Sequence, residues 1–595
     1  MEIFRKIREN TKLLIWDYVD IIHRILKKTA GIVSIFTMGI ILYFYGFPQT
    51  EQTSFFCDIV IRFSLMFYVL KYLLSVFFSL RSWRYIKKHW IEGFIILFII
   101  VWFILSSVFN YGSFGLLNSH RGRNFDNIAI LLIQSYFFIL MLIEISRIGN
   151  LLGKIKIRTG GLLIISFIIL ILSGTFMLLL PEMSTKSISF TDALFTATSA
   201  SCVTGLSTLN IGTDFTFKGQ FIILLLIQLG GINIVCFASF ITYFYKSERL
   251  RHQSAMKEML NTTLQSSRSL TQEIILYAFV IELIGFLFLF IYFSFTQNYS
   301  DSVSDNVFLS AFHSIASFNN AGLCFLEGGM INPVFRYDYY VQTITMILIF
   351  LGGIGFITIH EILTIPKGKK NRWNRLQITS KVVLRLSAVF ILFGAVAFFI
   401  LEFNNASADA SMLDRVYTAL FTSISSRTAG FNIVDIPSLS ISTRFIILLL
   451  MLIGAAPGST GGGIKLTTVY ILFKSALATI TGKHQVSVYK RSVSYETVDK
   501  AYVVLIFAVI TVFAGSLILT ISDSQFSLEE ILFEVASAFG TAGLSFGITA
   551  DLSTFGKFII IIIMYIGRIT VLTLALSIAR RTFNRYSLAE TNYGI

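Results

Sequence analysis

Four short segments carry the residues best suited to chemistry: FTATSASCVTGL from Phe195, FHSIASFNNAGL from Phe312, FTSISSRTAGF from Phe421 and FEVASAFGTAGL from Phe533. Each opens on Phe and places a glycine near its end, and Gly205, Gly322, Gly430 and Gly543 follow one another at intervals of 117, 108 and 113 residues, the third segment being one residue shorter. Glycine has no side chain and tolerates unusual dihedrals, so the stretches Val203-Thr204-Gly205, Asn320-Ala321-Gly322, Thr428-Ala429-Gly430 and Thr541-Ala542-Gly543 can turn backbone carbonyls inward. Four such rows of carbonyl oxygens around one axis could replace the water shell of a cation. A single match would read as a tight turn or a small-residue helix contact. Four at near-constant spacing define an internal repeat.

A second polar cluster, Gly454 to Lys465 (GAAPGSTGGGIK), interrupts an otherwise apolar run. It is not a nucleotide loop, because Ile464 separates Gly463 from Lys465 and no strand precedes it. Glycine-rich backbone at membrane depth needs shelter by protein or a water-filled cavity. Arg568, in YIGRITVLTLAL, sits near the middle of the last apolar run, where a charge must face protein, water or a counter-charge. Glu282 is a second intramembrane charge. His313 and His360 belong to no HExxH pattern, no Ser-His-acid set can be assembled, and Cys57, Cys202, Cys236 and Cys324 lack metal-ligand spacing, so the residues point away from enzymatic catalysis.

The elements that position these groups follow from composition. Of 595 residues 55% are hydrophobic and only 14% are charged, against about 25% charged in an ordinary globular chain, which makes the chain an integral membrane protein. Six prolines and four cysteines exclude a proline-rich scaffold or a cysteine-dense secreted fold. The net charge of +15 does not indicate nucleic-acid binding. It comes from clusters between apolar runs, such as Arg81–Lys88, Lys154–Arg158, Lys246–Lys257, Lys367–Arg372, Lys483–Arg491 and Arg580–Arg585, which fit the cytoplasmic side if both termini are inside. Met1–Lys28 is too charged for a cleavable signal and reads as a stretch that can lie on the membrane surface.

About 20 apolar residues cross a bilayer as a helix. Spans are expected near 31–47, 57–80, 91–109 and 125–146, and then in pairs near 161–181 and 219–244, 273–295 and 340–362, 383–403 and 444–475, and 500–520 and 556–579. The four Phe-to-Gly segments lie between the members of these pairs. Each is too short to cross, so it must return to its entry side as a half-length pore helix followed by an extended strand. Asp192, Asp305, Asp414 and Glu529 near the pore-helix starts complement the positive helix ends. The expected fold is an all-α polytopic membrane protein with four helix–pore-loop–helix repeats around a pseudo-fourfold pore. The expected domains are an N-terminal four-span extension (1–160) and repeats at 161–272, 273–382, 383–499 and 500–595, the third holding an intramembrane loop at 454–463.

From about 161 to 580, through all four glycines, the chain resembles the Trk/Ktr/HKT superfamily of potassium transporters, most closely the Trk-type translocating membrane subunit. The resemblance implies a potassium filter at the four triplets and an intramembrane gate made of Gly458, Ser459, Thr460, Gly461, Gly462, Gly463 and Lys465. Arg568 matches the pore-facing cation of the fourth repeat. Gly205 stands where sodium-preferring members carry serine, which implies potassium preference. Pro457 replaces a usually polar or small residue. The resemblance further implies a homodimer in a cell membrane, that of a bacterial inner membrane, surrounded by lipid. A separate cytoplasmic subunit would bind the regulatory nucleotide, this chain carrying no cofactor of its own. Asn319 and Asn320 keep a sodium-permeable or weakly selective cation pathway open as an alternative; a membrane enzyme or an assembly scaffold leaves the four repeats unexplained.

Overall fold

The computed structural model describes residues 36–78, 159–244, 267–296, 302–326, 328–365, 372–405, 411–483 and 485–569, with a few isolated positions before residue 94. The spans expected near 91–109 and 125–146, the surface stretch Met1–Lys28 and the end of the last span lie outside the described residues. The chain divides into two units, Met1–Ile155 and Lys156–Ile595.

In the first unit, α1 (Phe36–Gly46) meets α2 (Glu51–Phe78) through a buried hydrogen bond of 2.6 Å from Thr37 Oγ1 to Ser64 Oγ. The second unit repeats one pattern four times. Repeat 1 holds α3 (Thr159–Leu178), pore helix α4 (Phe190–Cys202) and α5 (Phe217–Phe244). Repeat 2 holds α6 (Ser267–Thr296), pore helix α7 (Val303–Phe318), α8 (Tyr339–Gly353) and α9 (Phe356–Thr364). Repeat 3 holds α10 (Ile378–Leu401), pore helix α11 (Met412–Ser425), α12 (Ile441–Leu452) and α13 (Leu466–Ile480). Repeat 4 holds α14 (Tyr495–Ser522), pore helix α15 (Leu528–Gly540) and α16 (Thr554–Ile569). The chain is a multi-pass membrane protein: among the described residues four helices are long and apolar enough to cross a bilayer, and five when α8 and α9 count as one bent span.

That bend corrects the continuous span expected at 340–362. The axis turns by 97° between α8 and α9, at Gly355, whose φ of +84° belongs to the left-handed region that glycine occupies without a Cβ penalty. The hydropathy of the run is unbroken, so only the backbone reveals the turn.

Each pore helix packs on the first helix of its own repeat. Each second helix also contacts the pore helix of the next repeat: α5 meets α7, α8 meets α11, α12 meets α15, and α16 closes the circle on α4. Burial is inverted relative to a soluble protein. Phe295 is 85% exposed and Ile521 76% exposed on the outer helices, whereas Thr198, Ser199, Ser310, Ser314, Ser425 and Ser537 of the pore helices are fully buried. Lipid solvates the apolar exterior, and small polar residues let the inner backbones approach closely.

Three of the four pore helices start at a side-chain cap, the exception being α7, whose Ser302 makes no such bond. Ser189 accepts from Asp192 N, and Ser411 with Asp414 and Ser527 with Glu530 form reciprocal capping boxes. These satisfy amide groups that a helix start leaves unpaired. In repeat 4 both acids lie in the first turn, as expected for Glu529, but the capping acid is Glu530, and the Glu529 carboxylate lies 3.3 Å from Arg444 Nε of repeat 3. Acids at the ends of the first helices tie down the second ones. Glu402 Oε1 accepts from Ser440 N at 2.9 Å, and Asp523 Oδ1 accepts from Ser553 N at 2.6 Å.

Candidate ion pathway

The pore helices end in the left-handed region. Val203, Asn320, Thr428 and Thr541 have φ of 55°, 59°, 72° and 49°, and two residues later Gly205, Gly322, Gly430 and Gly543 have 102°, 65°, 75° and 82°. Four non-glycine residues held at positive φ, all at the same place in the repeat, mark a backbone constrained by its surroundings. The amides of this stretch are used behind it: Thr204 N donates to Ser199 O at 2.8 Å, Ala321 N to Ala316 O at 2.8 Å, Ala429 N to Ser425 O at 3.0 Å, and Ala542 N to Ser537 O at 2.8 Å. Gly205 N donates to Ser199 Oγ at 3.1 Å.

The four triplets meet in a closed cycle. A Cβ added at Gly205 would lie 2.8 Å from Ala321 O and 3.2 Å from Gly322 Cα; at Gly322, 2.7 Å from Ala429 O and 2.9 Å from Gly430 Cα; at Gly430, 2.7 Å from Ala542 O and 2.9 Å from Gly543 Cα. At Gly543 it would strike Thr204 O most closely of all, 3.0 Å from Gly205 Cα. No side chain larger than hydrogen fits this ring. With the middle amide of each triplet committed to its own pore helix, the carbonyl oxygens are available to stand in for a cation's water.

The glycine-rich loop lies against the ring. Gly454 N donates to Ile464 O at 2.9 Å, closing the loop at its base. Ala456 N donates to Gly353 O at 3.0 Å and Phe356 N to Gly458 O at 3.1 Å, which joins the loop to the bend of repeat 2. Gly462 N donates to Thr541 Oγ1 at 2.9 Å, and Gly463 N to Gly567 O at 3.3 Å, which joins it to repeat 4. A Cβ at Gly461 would collide with Thr428 Oγ1. Ser459 Oγ turns back onto Ala456 O at 2.6 Å, and Lys465 Nζ onto Gly461 O at 2.6 Å. Arg568 is 1% exposed. Its Nη1 donates to Thr460 O of the loop and its Nη2 to Gly230 O of α5 at 2.7 Å. The four triplets, the glycine-rich loop and Arg568 thus form one contiguous cluster.

Glu282 finds partners there too. Its carboxyl accepts from Gln228 Nε2 at 2.9 Å and Asn319 Nδ2 at 3.0 Å, linking α5, α6 and the end of α7. His313 Nε2 lies 2.8 Å from Thr345 Oγ1 behind the second pore helix. His360 Nδ1 lies 3.1 Å from Glu273 Oε2.

One recurrent set escaped the sequence reading: Gly230, Gly352 and Gly567, each after Leu or Ile in a second helix, 25, 30 and 24 residues past the glycine of its triplet, with Gly454 of the polar run, just past the end of α12, in the matching place 24 residues past Gly430. A Cβ at Gly230, Gly352 or Gly567 would collide with Ser201 O, Phe318 O or Phe539 O at the pore-helix ends, and one at Gly454 with Gly462 O. The shared register was the available signal. Arg427 was also missed; it is buried just before the third triplet, with Nη1 3.4 Å from Ser387 O.

A membrane protein with four quasi-equivalent pore loops, a glycine ring on their common axis and a loop beneath it belongs to the class of cation-conducting proteins. The family described as TrkH, cation transport protein, matches residues 152–585, and the chain belongs to that family. It is 36% identical over 430 residues to the Ktr system potassium uptake protein B of Bacillus subtilis (strain 168), covering 72% of this chain and 94% of that one. It is 35% identical over 462 residues to the potassium/sodium uptake protein NtpJ of Enterococcus hirae, covering 76% and 98%. The crystal structure of the potassium transporter TrkH from Vibrio parahaemolyticus shares the fold, with a TM-score of 0.60 at 16% identity over 75% of this chain and 91% of that one.

Proposed function

We propose that this chain is the pore-forming subunit of a potassium uptake system in the cell membrane. The observation that carries the reading is the cyclic contact of Gly205, Gly322, Gly430 and Gly543, each backed against the carbonyl that precedes the next glycine. Potassium would shed its water into the oxygens of the four triplets, and the membrane potential would draw it inward with about 2.3 kcal/mol per charge per 100 mV. No covalent step is needed. Binding must stay weak enough for exit.

The loop from Gly458 to Lys465 is the gate of this pathway, and Arg568 is its latch as well as an electrostatic barrier below the filter. Pairing as a homodimer and control by a separate nucleotide-binding cytoplasmic subunit accompany the resemblance to the family, and three relatives are named as members of a Ktr system. The repeat boundaries near 272, 382 and 499 and the four-span extension belong to the same proposal. One relative is named for both potassium and sodium, which keeps sodium passage as the second reading.

Potassium and sodium influx into liposomes under an imposed voltage decides between them. A potassium preference that Gly205→Ser weakens supports the four-triplet filter, since the new side chain must enter space within 2.8 Å of Ala321 O. Equal fluxes of the two ions favour the sodium-permeable reading, and a ratio indifferent to the substitution removes Gly205 from the filter.

A further inference from the structure

Position two of the four pore segments is occupied by Thr196, His313, Thr422 and Glu534. Three of these carry no carboxyl; the fourth, Glu534, is a carboxyl group in the middle of a pore helix, with no exposed surface. Burying such a group is strongly unfavourable unless hydrogen bonds compensate. Here three donors do so, and all come from the chain just beyond the fourth filter triplet. Ser545 Oγ donates to Oε1, Phe546 N donates to Oε1 at 3.1 Å, and Thr549 Oγ1 donates to Oε2 at 3.1 Å. Ser545 Oγ in turn lies 3.0 Å from Thr549 Oγ1 and accepts from Gly547 N at 2.8 Å. The rings of Phe533 and Phe546 pack edge to face with centroids 4.9 Å apart.

The fourth triplet is therefore held at both ends by the same helix. On the inner side Ala542 N is tied to Ser537 O; on the outer side Glu534 holds residues 545–549. Between these two ties lies Gly543, the ring position with the tightest approach to its neighbour, Thr204 O. In repeat 1 the position-two hydroxyl of Thr196 has no hydrogen-bond partner among the described residues, and in repeat 2 His313 bonds α8 rather than its own post-filter chain. In repeat 3 the post-filter tie is a neutral one, from Ser425 Oγ to Phe431 O.

We infer that Glu534 is a positioning residue of the filter: by clamping Ser545, Phe546 and Thr549 to the fourth pore helix it sets the placement of the Thr541–Gly543 carbonyls and with it the discrimination between potassium and sodium. The inference rests on the potassium reading above. Discrimination depends on where, and how firmly, the coordinating carbonyls are held. A carboxyl serving three donors holds more firmly than a hydroxyl serving one.

The test is the ratio of potassium to sodium influx in liposomes containing the full chain, for the unmodified protein, Glu534→Ala, Glu534→Gln and the double variant Ser545→Ala with Thr549→Val. The expected result is a ratio lowered about tenfold by Glu534→Ala, the factor that loss of one strong buried hydrogen bond makes. Glu534→Gln, which keeps the acceptor for Ser545 and Phe546, should recover part of it. The double variant leaves Glu534 in place and should lower the ratio as well, so it decides the matter if Glu534→Ala does not yield folded protein by size-exclusion chromatography. Total flux that falls while the ratio stays constant in both Glu534→Ala and the double variant would overturn the inference and reduce the clamp to fold support. An unmodified protein that passes both ions equally would instead overturn the potassium reading beneath it.

Discussion

Arg568 and Gly230 are 338 residues apart in the chain, yet the Nη2 of the first donates to the carbonyl oxygen of the second at 2.7 Å in the buried centre of the molecule. The other arm of the same guanidinium reaches Thr460 O. One planar cation thus joins the last repeat to the first and to the loop of the third. A planar fork with two donating arms suits that task better than a point charge does.

Removing this fork should loosen the loop proposed as the gate. A hydrogen bond from a charged donor contributes about 1.5–3 kcal/mol, so Arg568→Gln should raise resting potassium flux by about tenfold or more in liposomes without any regulatory subunit. Flux that stays at the unmodified level would show that the loop is held by its other bonds, among them those to Gly353, Phe356, Thr541 and Gly567.

The ring makes a prediction of rank. An alanine methyl at Gly543 meets Thr204 O more closely than one at Gly205 meets Ala321 O at 2.8 Å, and both positions have positive φ, which adds strain for any L side chain. Gly543→Ala should therefore depress potassium flux more than Gly205→Ala, measured as initial influx at equal protein. The reverse order would contradict the ring geometry.

Adjacent glycines in α8 should behave differently. At Gly352 a Cβ would collide with Phe318 O, whereas at Gly353 its nearest neighbour is Asn320 Nδ2 at 3.6 Å, an ordinary contact. Gly352→Ala should lower thermal stability in detergent by several degrees, because backbone at the pore-helix end must move; an overpacked site costs about 1–3 kcal/mol. Gly353→Ala should leave the melting temperature nearly unchanged. Equal melting temperatures for the two variants would refute the close approach of α8 to α7.

Glu402, just past the end of α10, supplies a pH dependence. Burial alone would push its carboxyl up, but hydrogen bonds from Thr443, Ser440 and Asn405 outweigh that and hold it below the ordinary glutamate value. A folded-state value below the unfolded one means that the stabilisation is complete at neutral pH, above the unfolded value, and is lost as pH falls through the folded one. The melting-temperature gap between the unmodified protein and Glu402→Gln should shrink as pH is lowered from 7 into the acid range. A gap that widens on acidification would reverse the sign.

Much of this was legible in the chain itself. Phe195, Phe312, Phe421 and Phe533 with their glycines recur at near-constant spacing because each repeat must build the same turn from the same small residues, and a polar run such as Gly458–Gly463 inside an apolar span has few physical explanations. Arg568 stood out for the same reason, since a mid-membrane charge needs a partner. The partner itself was not legible: Thr460 and Gly230 offer backbone carbonyls, which every residue has, and only the fold selects which ones arrive. Likewise hydropathy could not show the 97° turn after Gly353, because a bent apolar helix and a straight one have the same composition. The choice of Glu530 over Glu529 as the cap turned on one residue of helical phase, about 100° of rotation, which placed one carboxylate over its own helix start and the other beside Arg444. Local sequence determined which segments turn and where glycine is required; the cyclic packing of four unequal repeats decided which carbonyls, acids and cations face one another.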